Sequence, residues 1–224
     1  MAVENKRLIV TLDGPAGVGK TTLAKRVAKE LNFAYLDTGA MFRATALKLG
    51  KGAWERTEEE LRKNLEGLSF TLSGTGEDSR LYVNNEPVGD EIRTEAVGMW
   101  ASNIAVIPAV RAFQKQAQQA IGAGTSLVCE GRDMGTVVFP NAKYKFFLDA
   151  SPEIRAERRY KQLQEMGQEA DLKEITDRLK ARDKQDMGRA EAPLKPAKDA
   201  IIIDTGGLSI DGVFDRIMEE IRGA

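Results

Sequence analysis

No histidine occurs in the chain, and cysteine occurs once, at Cys129. The first absence excludes His-dependent triads, a histidine general base and ordinary His-ligated zinc. A single cysteine can build neither an intrachain disulfide nor a thiolate zinc site. Cys129 ends the apolar run Ser126-Leu127-Val128-Cys129, which reads as a buried strand, and a reducing compartment fits it. Long apolar runs are also lacking: nothing approaches the roughly 18 consecutive apolar residues of a membrane span. The start of the chain, Met1-Ala2-Val3-Glu4-Asn5-Lys6-Arg7, carries no signal-peptide h-region. A cytoplasmic protein is expected by elimination. Neither sign of charge is in excess, with 33 Lys and Arg against 34 Asp and Glu and a net charge of −1. That balance argues against a broad nucleic-acid or anionic-membrane face. It gives no reason for an obligate partner, so a monomer is expected. Chemistry is left to carboxylates, Lys, Arg, hydroxyls, backbone amides and Mg²⁺.

What is present suits a folded enzyme-sized domain. The 224 residues are 42% hydrophobic and 30% charged, enough for one well-buried α/β domain with insertions. Short β-rich runs alternate with helical patterns, as in βαβ units around a parallel sheet. The predicted sheet strands are Leu8 to Asp13, Ala34 to Asp37, Leu127 to Cys129, Lys145 to Leu148 and Ala200 to Asp204. Ligands bind beyond the carboxyl ends of such strands, which points to Asp13, Asp37, the loop after Cys129, and Asp149. Helix starts are marked by Thr57-Glu58-Glu59-Glu60 as a capping box, Ser151-Pro152 as N-cap and N1 proline, and Ser209 as a cap. Phe70-Thr71-Leu72 and Leu81-Tyr82-Val83 predict small antiparallel strands inserted between two βα units. From Arg155 to Arg189 two charged helices flank Met166-Gly167, with the composition of a mobile lid.

Gly14-Pro15-Ala16-Gly17-Val18-Gly19-Lys20-Thr21 matches G-x-x-x-x-G-K-[ST], with a predicted strand before it and an amphipathic helix from Thr22 to Leu31 after it. In that context the backbone N–H groups wrap a β-phosphate and Lys20 reaches the β/γ oxygens. Thr21 offers a hydroxyl to Mg²⁺, and Thr22 opens the helix. The motif gives ATP or GTP binding without naming a reaction. A guanine-reading N-K-x-D element is lacking; Asp183-Lys184-Gln185-Asp186 has no Asn and lies in a charged helix. Several phosphates brought together need separated cations, and arginines are spread accordingly. Thr38 and Arg43, in Asp37-Thr38-Gly39-Ala40-Met41-Phe42-Arg43, follow the second strand and suit a second phosphate. Taken alone, an arginine at a helix start is as often a solvated charge.

These segments, with Gly131-Arg132-Asp133-Met134-Gly135-Thr136, Gly89-Asp90-Glu91-Ile92-Arg93-Thr94 and Arg182 to Arg189, resemble the bacterial cytidylate kinase family over nearly the whole chain. The resemblance implies an adenylate-kinase-like five-stranded parallel sheet flanked by helices. It divides one kinase domain into a core (1–37, 124–154 and 190–224), an NMP-binding region with its small antiparallel insert (38–123) and a lid (155–189). It implies ATP-dependent phosphorylation of CMP and dCMP with Mg²⁺. Asp37, Thr38, Arg43, Ser102, Arg111, Arg132, Asp133, Arg182, Asp186 and Arg189 are then expected at the acceptor nucleotide. Lys20, Arg132, Arg182 and Arg189 are expected at the transferring phosphate, and Arg158 with the Gly14–Thr22 loop at ATP. From spacing alone, Ser102 and Arg111 read as solvated helix residues.

A carboxylate at Asp133 would accept from the N4 amino group of cytosine and repel the corresponding oxygen of uracil; the competing reading is a local Arg132–Asp133 salt bridge at a turn. Arg178, Arg182, Asp186 and Arg189 fall on one helical face, where three arginines exceed what one Asp can pair. The same reading extends to Arg155, Arg158 and Arg159, against the alternative of merely soluble helices. Asp37 and Glu130 are candidates for magnesium-bound waters. The chain departs from the family pattern at Glu130, where Asp is expected, and at Phe42, where Tyr is common. Trp54 and Trp100 read as packing. Other readings stay open: a kinase of UMP or dTMP, or a nucleotide-binding regulator that transfers nothing.

Overall fold

The structure is a computed structural model that describes residues 7–223. Met1 to Lys6, part of the stretch whose composition bears on a signal peptide, lie outside the described residues. In chain order the elements are β1 (Ile9–Asp13), α1 (Lys20–Leu31), β2 (Ala34–Asp37), α2 (Thr38–Leu49), α3 (Glu58–Glu66), β3 (Phe70–Ser73), β4 (Arg80–Val83) and β5 (Glu86–Pro87). There follow α4 (Glu95–Ile104), α5 (Pro108–Gly124), β6 (Leu127–Gly131), β7 (Tyr144–Asp149), α6 (Pro152–Glu165), α7 (Leu172–Met187), β8 (Ile201–Asp204) and α8 (Ile210–Arg222). A five-stranded sheet runs in the order β2-β6-β1-β7-β8, and β3-β4-β5 form a separate small sheet. All five predicted core strands are present within one or two residues of their expected ends, and β6 runs on through Glu130 and Gly131.

By its internal contacts the chain forms two compact units. One comprises the segment up to Ile9 and Ala28–Glu130. Here β2 and β6 pair in parallel, with Leu36 opposite Cys129 and Asp37 opposite Glu130. Cys129 is fully buried, as its apolar run predicts. Thr57 and Glu60 close the expected capping box at the start of α3. The predicted antiparallel strands pair Phe70 with Val83, and a third, β5, joins them. The turn between β4 and β5 places both Asn84 and Asn85 at positive φ, the primed hairpin geometry that asparagine tolerates. Ala46, Leu49, Leu61, Leu65, Ala101, Ile104 and Val110 make this unit's apolar cluster, against which Phe42, Trp54 and Trp100 pack. The tryptophans are therefore packing residues, as expected. Helices α4 and α5 meet at 102°, and no single described helix is long and apolar enough to cross a membrane.

The other unit comprises Val10–Val27 and the chain from Gly131 onward. Strand β1 pairs in parallel with β7, Asp13 lying opposite Phe147, and β7 pairs with β8, Asp149 lying opposite Asp204. Parallel pairing sets these acidic residues at the carboxyl ends, where ligands of open α/β sheets sit. Ser151 caps α6 with Pro152 at its first position, and Ser209 caps α8, both as the sequence indicates. The two charged helices also appear, packed on one another. They do not present only charge to solvent, because Arg155 and Ala156 of α6 and Asp183 and Asp186 of α7 are buried.

Candidate active site

In the second unit, β1 ends at Asp13 and the chain enters the glycine-rich turn at once. Gly14 has φ of +147°, and a Cβ built there would lie 2.1 Å from the Leu148 carbonyl oxygen, so only glycine fits against β7. Helix α1 begins at Lys20, two residues earlier than the sequence indicates, and has no acidic residue in its first turn. Its N-terminal N–H groups therefore keep their positive field. Lys20 is buried and its Nζ donates to the Pro15 carbonyl at 2.7 Å, closing the loop on itself. Thr21 and Thr22 are exposed beside it. The Thr21 hydroxyl is a hard oxygen donor of the kind Mg²⁺ accepts alongside phosphate oxygens. Among the described residues no group of three or more His, Cys, Asp or Glu could hold a metal unaided.

Asp13 ties this loop to the segment after β6. Its two carboxylate oxygens accept from the backbone N–H groups of Met134 at 2.9 Å and Gly135 at 2.7 Å. Burial pushes the Asp13 carboxyl up to about 6, with the charge of Asp133 adding to the rise; the Gly135 and Met134 amides and Lys20 pull the other way. The Gly131-Arg132-Asp133 turn is thereby fixed relative to the P-loop. Asp133 is buried. The turn does not close on an Arg132–Asp133 salt bridge: Arg132 Nε instead donates to Asp186 Oδ2 at 2.8 Å.

Arg189 pairs with the other oxygen of Asp186, so one carboxylate, 1% exposed, bridges two arginines. Burial acts to raise the Asp186 carboxyl, but Arg132, Arg189 and Arg182 together outweigh it and hold it below the ordinary carboxylate range. The structure thus brings Arg132, Arg182, Asp186 and Arg189 together. Part of the predicted stripe is corrected. Arg178 pairs with Glu174 one turn earlier on the exposed face, an acid that the count of uncompensated arginines passed over. Arg189 lies beyond the end of α7, after the Gly188 C-cap.

The three α6 arginines also separate. Arg155 is not a lid cation facing phosphate; it is 2% exposed and doubly paired with Asp183. Arg158 donates to the side chain and the carbonyl of Thr205, and Arg159 donates to Gln162 on its own helix. A cavity of about 700 Å³ opens beside Arg155, with Pro15, Ser151, Lys180, Asp183 and Met187 also in its wall. Sequence reading missed the roles of Asp183, Thr205 and the paired Asp13 carboxylate; the only sequence signal was the placement of Asp13 at a strand end.

The remaining predicted residues belong to the first unit. Asp37 caps α2 through its side chain, which accepts from Ala40 N at 2.9 Å. Thr38 donates to the Glu130 carbonyl at 2.7 Å, and Tyr35 donates its hydroxyl proton to the Glu130 carboxylate at 2.5 Å. One oxygen of Glu130 is thus engaged inside the unit. Arg43 is half-buried and donates to the Ile92 and Thr94 carbonyls. Burial lowers its pKa, opposed by the charge of Asp37. Gly98 leaves the space its guanidinium fills, a Cβ there lying 2.8 Å from Arg43 Nη2. Arg111 donates to the Ala105 carbonyl and lies over the Phe42 ring at 5.9 Å, while Ser102 stands on α4, half-buried.

The family model described as cytidylate kinase matches residues 10–223. A cytidylate kinase of Maridesulfovibrio salexigens is 61% identical over 212 residues, covering 95% of this chain and 95% of that protein. A cytidylate kinase of Nitratidesulfovibrio vulgaris is 61% identical over 214 residues, covering 96% of this chain and 92% of that protein. Among solved structures, an uncharacterized protein from Eubacterium ventriosum matches 98% of this chain and 100% of its own with a TM-score of 0.50 at 15% identity, a likeness of fold alone. A match over this length, on a chain whose P-loop and arginine cluster are formed, leaves one assignment: the chain belongs to the cytidylate kinase family.

Proposed function

We propose that this protein transfers the γ-phosphoryl group of ATP to the phosphate of CMP or dCMP, giving ADP and CDP or dCDP. In the transfer the bond from the γ-phosphorus to its bridging oxygen breaks, and a bond to an acceptor phosphate oxygen forms. The observation that carries the reading is the glycine-rich turn with Lys20 folded across it, in the same unit as the Arg132–Asp186–Arg189 cluster. Phosphoryl transfer through a loose transition state needs position and neutralised charge more than a general base. A chain without histidine can supply both.

In this account the backbone of Gly14, Pro15, Ala16, Gly17, Val18 and Gly19 holds the β-phosphate, with Lys20, Thr21, Thr22 and Arg158 completing the ATP site. Lys20, Arg132, Arg182 and Arg189 neutralise the transferring group. Asp37, Thr38, Arg43, Ser102, Arg111, Arg132, Asp133, Arg182, Asp186 and Arg189 bind the acceptor, Asp133 reading the cytosine amino group and Asp186 a sugar hydroxyl. Mg²⁺ bound with ATP would be held by Thr21 and phosphate oxygens and would supply charge neutralisation there. The segment 38–123 serves the acceptor, 155–189 closes as a lid, and the rest is core. The protein works in the cytoplasm as a monomer, on small nucleotides rather than nucleic acid or membrane. The test is label transfer: with γ-labelled ATP and CMP, the label is expected in CDP. Label that stays in ATP or is released as free phosphate would contradict the reading.

A further inference from the structure

Arg155 is the largest fully buried side chain among the described residues, and the phosphate roles above make no use of it. Its guanidinium joins three separate segments. Nε donates to the Ala150 carbonyl at 2.9 Å, at the junction of β7 and α6. Nη1 donates to the Ala16 carbonyl of the P-loop at 2.9 Å and to Asp183 Oδ1 at 3.2 Å. Nη2 donates to Asp183 Oδ2 at 2.5 Å. Stability alone does not call for this arrangement, because a buried ion pair replaced by apolar residues of similar volume is often no less stable. What apolar residues cannot do is hold a carbonyl.

Resting on the ATP-dependent reading above, we propose that Arg155 and Asp183 are a positioning pair that fixes the P-loop and locks it in register with α7. In a trans peptide the C=O and the following N–H point to opposite edges of one plane. Holding the Ala16 carbonyl on Arg155 therefore fixes the Gly17 N–H on the opposite edge of that peptide plane, away from the guanidinium. Gly17 takes φ of +79°, and a Cβ there would rest 3.5 Å from Arg155 Cβ, so the loop turns directly on this arginine. The other end of the tether is equally placed. Asp183 precedes Asp186 by three residues on one face of α7, and Asp186 carries Arg132 and Arg189. One chain of contacts thus runs from the Ala16 carbonyl through Arg155, Asp183 and α7 to the phosphate arginines.

The decisive variant is the double change Arg155→Met/Asp183→Leu, which removes both charges together and leaves none buried alone. Thermal unfolding checks that it folds, calorimetry with ADP reads the P-loop without any acceptor, and steady-state kinetics gives kcat and KM for ATP. Expected is a single cooperative transition at a lowered melting temperature, because the Ala150 and Ala16 carbonyls lose their donor, with ADP affinity reduced about tenfold and kcat/KM for ATP reduced on the order of 10²-fold, the loss typical of a misplaced reacting group. Arg155→Lys, which keeps the charge opposite Asp183 but not the planar fork, is the second variant and is expected to lose ADP affinity in the same direction. Wild-type ADP affinity in either folded variant would overturn the proposal. Failure of the wild type itself to phosphorylate CMP would defeat the kinase reading instead, and the ADP comparison would still decide the pair.

Discussion

Arg132 Nε lies 2.8 Å from Asp186 Oδ2, an ion pair that joins the turn after β6 to helix α7. Because Asp186 also holds Arg189, this one buried carboxylate keeps two proposed phosphate-binding arginines within a few ångströms of each other. A phosphate arriving there meets cations already assembled, so less ordering remains to be done on binding.

Replacing Asp186 by Asn removes the buried counter-charge that two half-buried guanidinium groups share. The expected loss is about 3 kcal/mol of folding stability, the scale for breaking a buried pair, read by urea denaturation at neutral pH. Its pH dependence has a definite sign. The folded carboxyl is held below its ordinary value of 3.8, so its contribution is complete above that value and disappears as the pH falls below it. The gap between wild type and variant is expected to be constant from pH 6 to 8 and to shrink below pH 4.

Asp13 works in the opposite sense. Its folded carboxyl is raised from 3.8 to about 6, chiefly by burial, so the folded protein holds the proton more tightly than the unfolded chain between those values. Stability from this group is present below pH 4 and lost as the pH rises through 6. Relative to Asp13→Asn, the wild type is expected to lose roughly 3 kcal/mol over that interval. Parallel denaturation series at pH 4 and pH 6.5 measure it; a difference independent of pH would refute the assignment.

At Gly14, any side chain meets the Leu148 carbonyl at 2.1 Å. Gly14→Ala must therefore shift the first turn of the loop away from β7. The expected outcome is a clear drop in melting temperature and loss of the stabilisation that ADP gives the wild type.

For base selection, Asp133→Asn exchanges a pure acceptor for a group that also donates. CMP preference over UMP is expected to narrow about tenfold or more, in line with the 1–3 kcal/mol carried by a base-edge contact. Unchanged selectivity would move base reading to another residue.

What was legible in the sequence was chiefly local. The strand, glycine turn and helix of the P-loop are fixed by steric demands within some two dozen residues, and the caps at Thr57, Ser151 and Ser209 announce themselves within four. The hairpin was legible only in part: β5 is two residues long and contains Pro87, so neither length nor alternation marks it as a strand. Long-range ion pairing was not legible. Arg155 and Asp183 are 28 residues apart in a charged stretch that reads as a mobile lid, and only the packing of α6 on α7 brings them together and buries them. Arg178 failed for a smaller reason, since Glu174 continues the same face by one turn and neutralises it. Arg132 and Asp186 were each singled out for separate roles, yet their contact depends on how the turn after β6 meets α7, which no spacing in the sequence reveals.

Acceptor-dependent phosphoryl transfer from ATP to a cytidine monophosphate is read from kcat/KM for CMP, dCMP, UMP, AMP and dTMP with saturating ATP and Mg²⁺, followed by release of ADP. CMP and dCMP are expected to be turned over well ahead of the other three. Equal values for UMP or AMP, or ADP release that does not depend on CMP, would rule out a cytidylate-specific transfer.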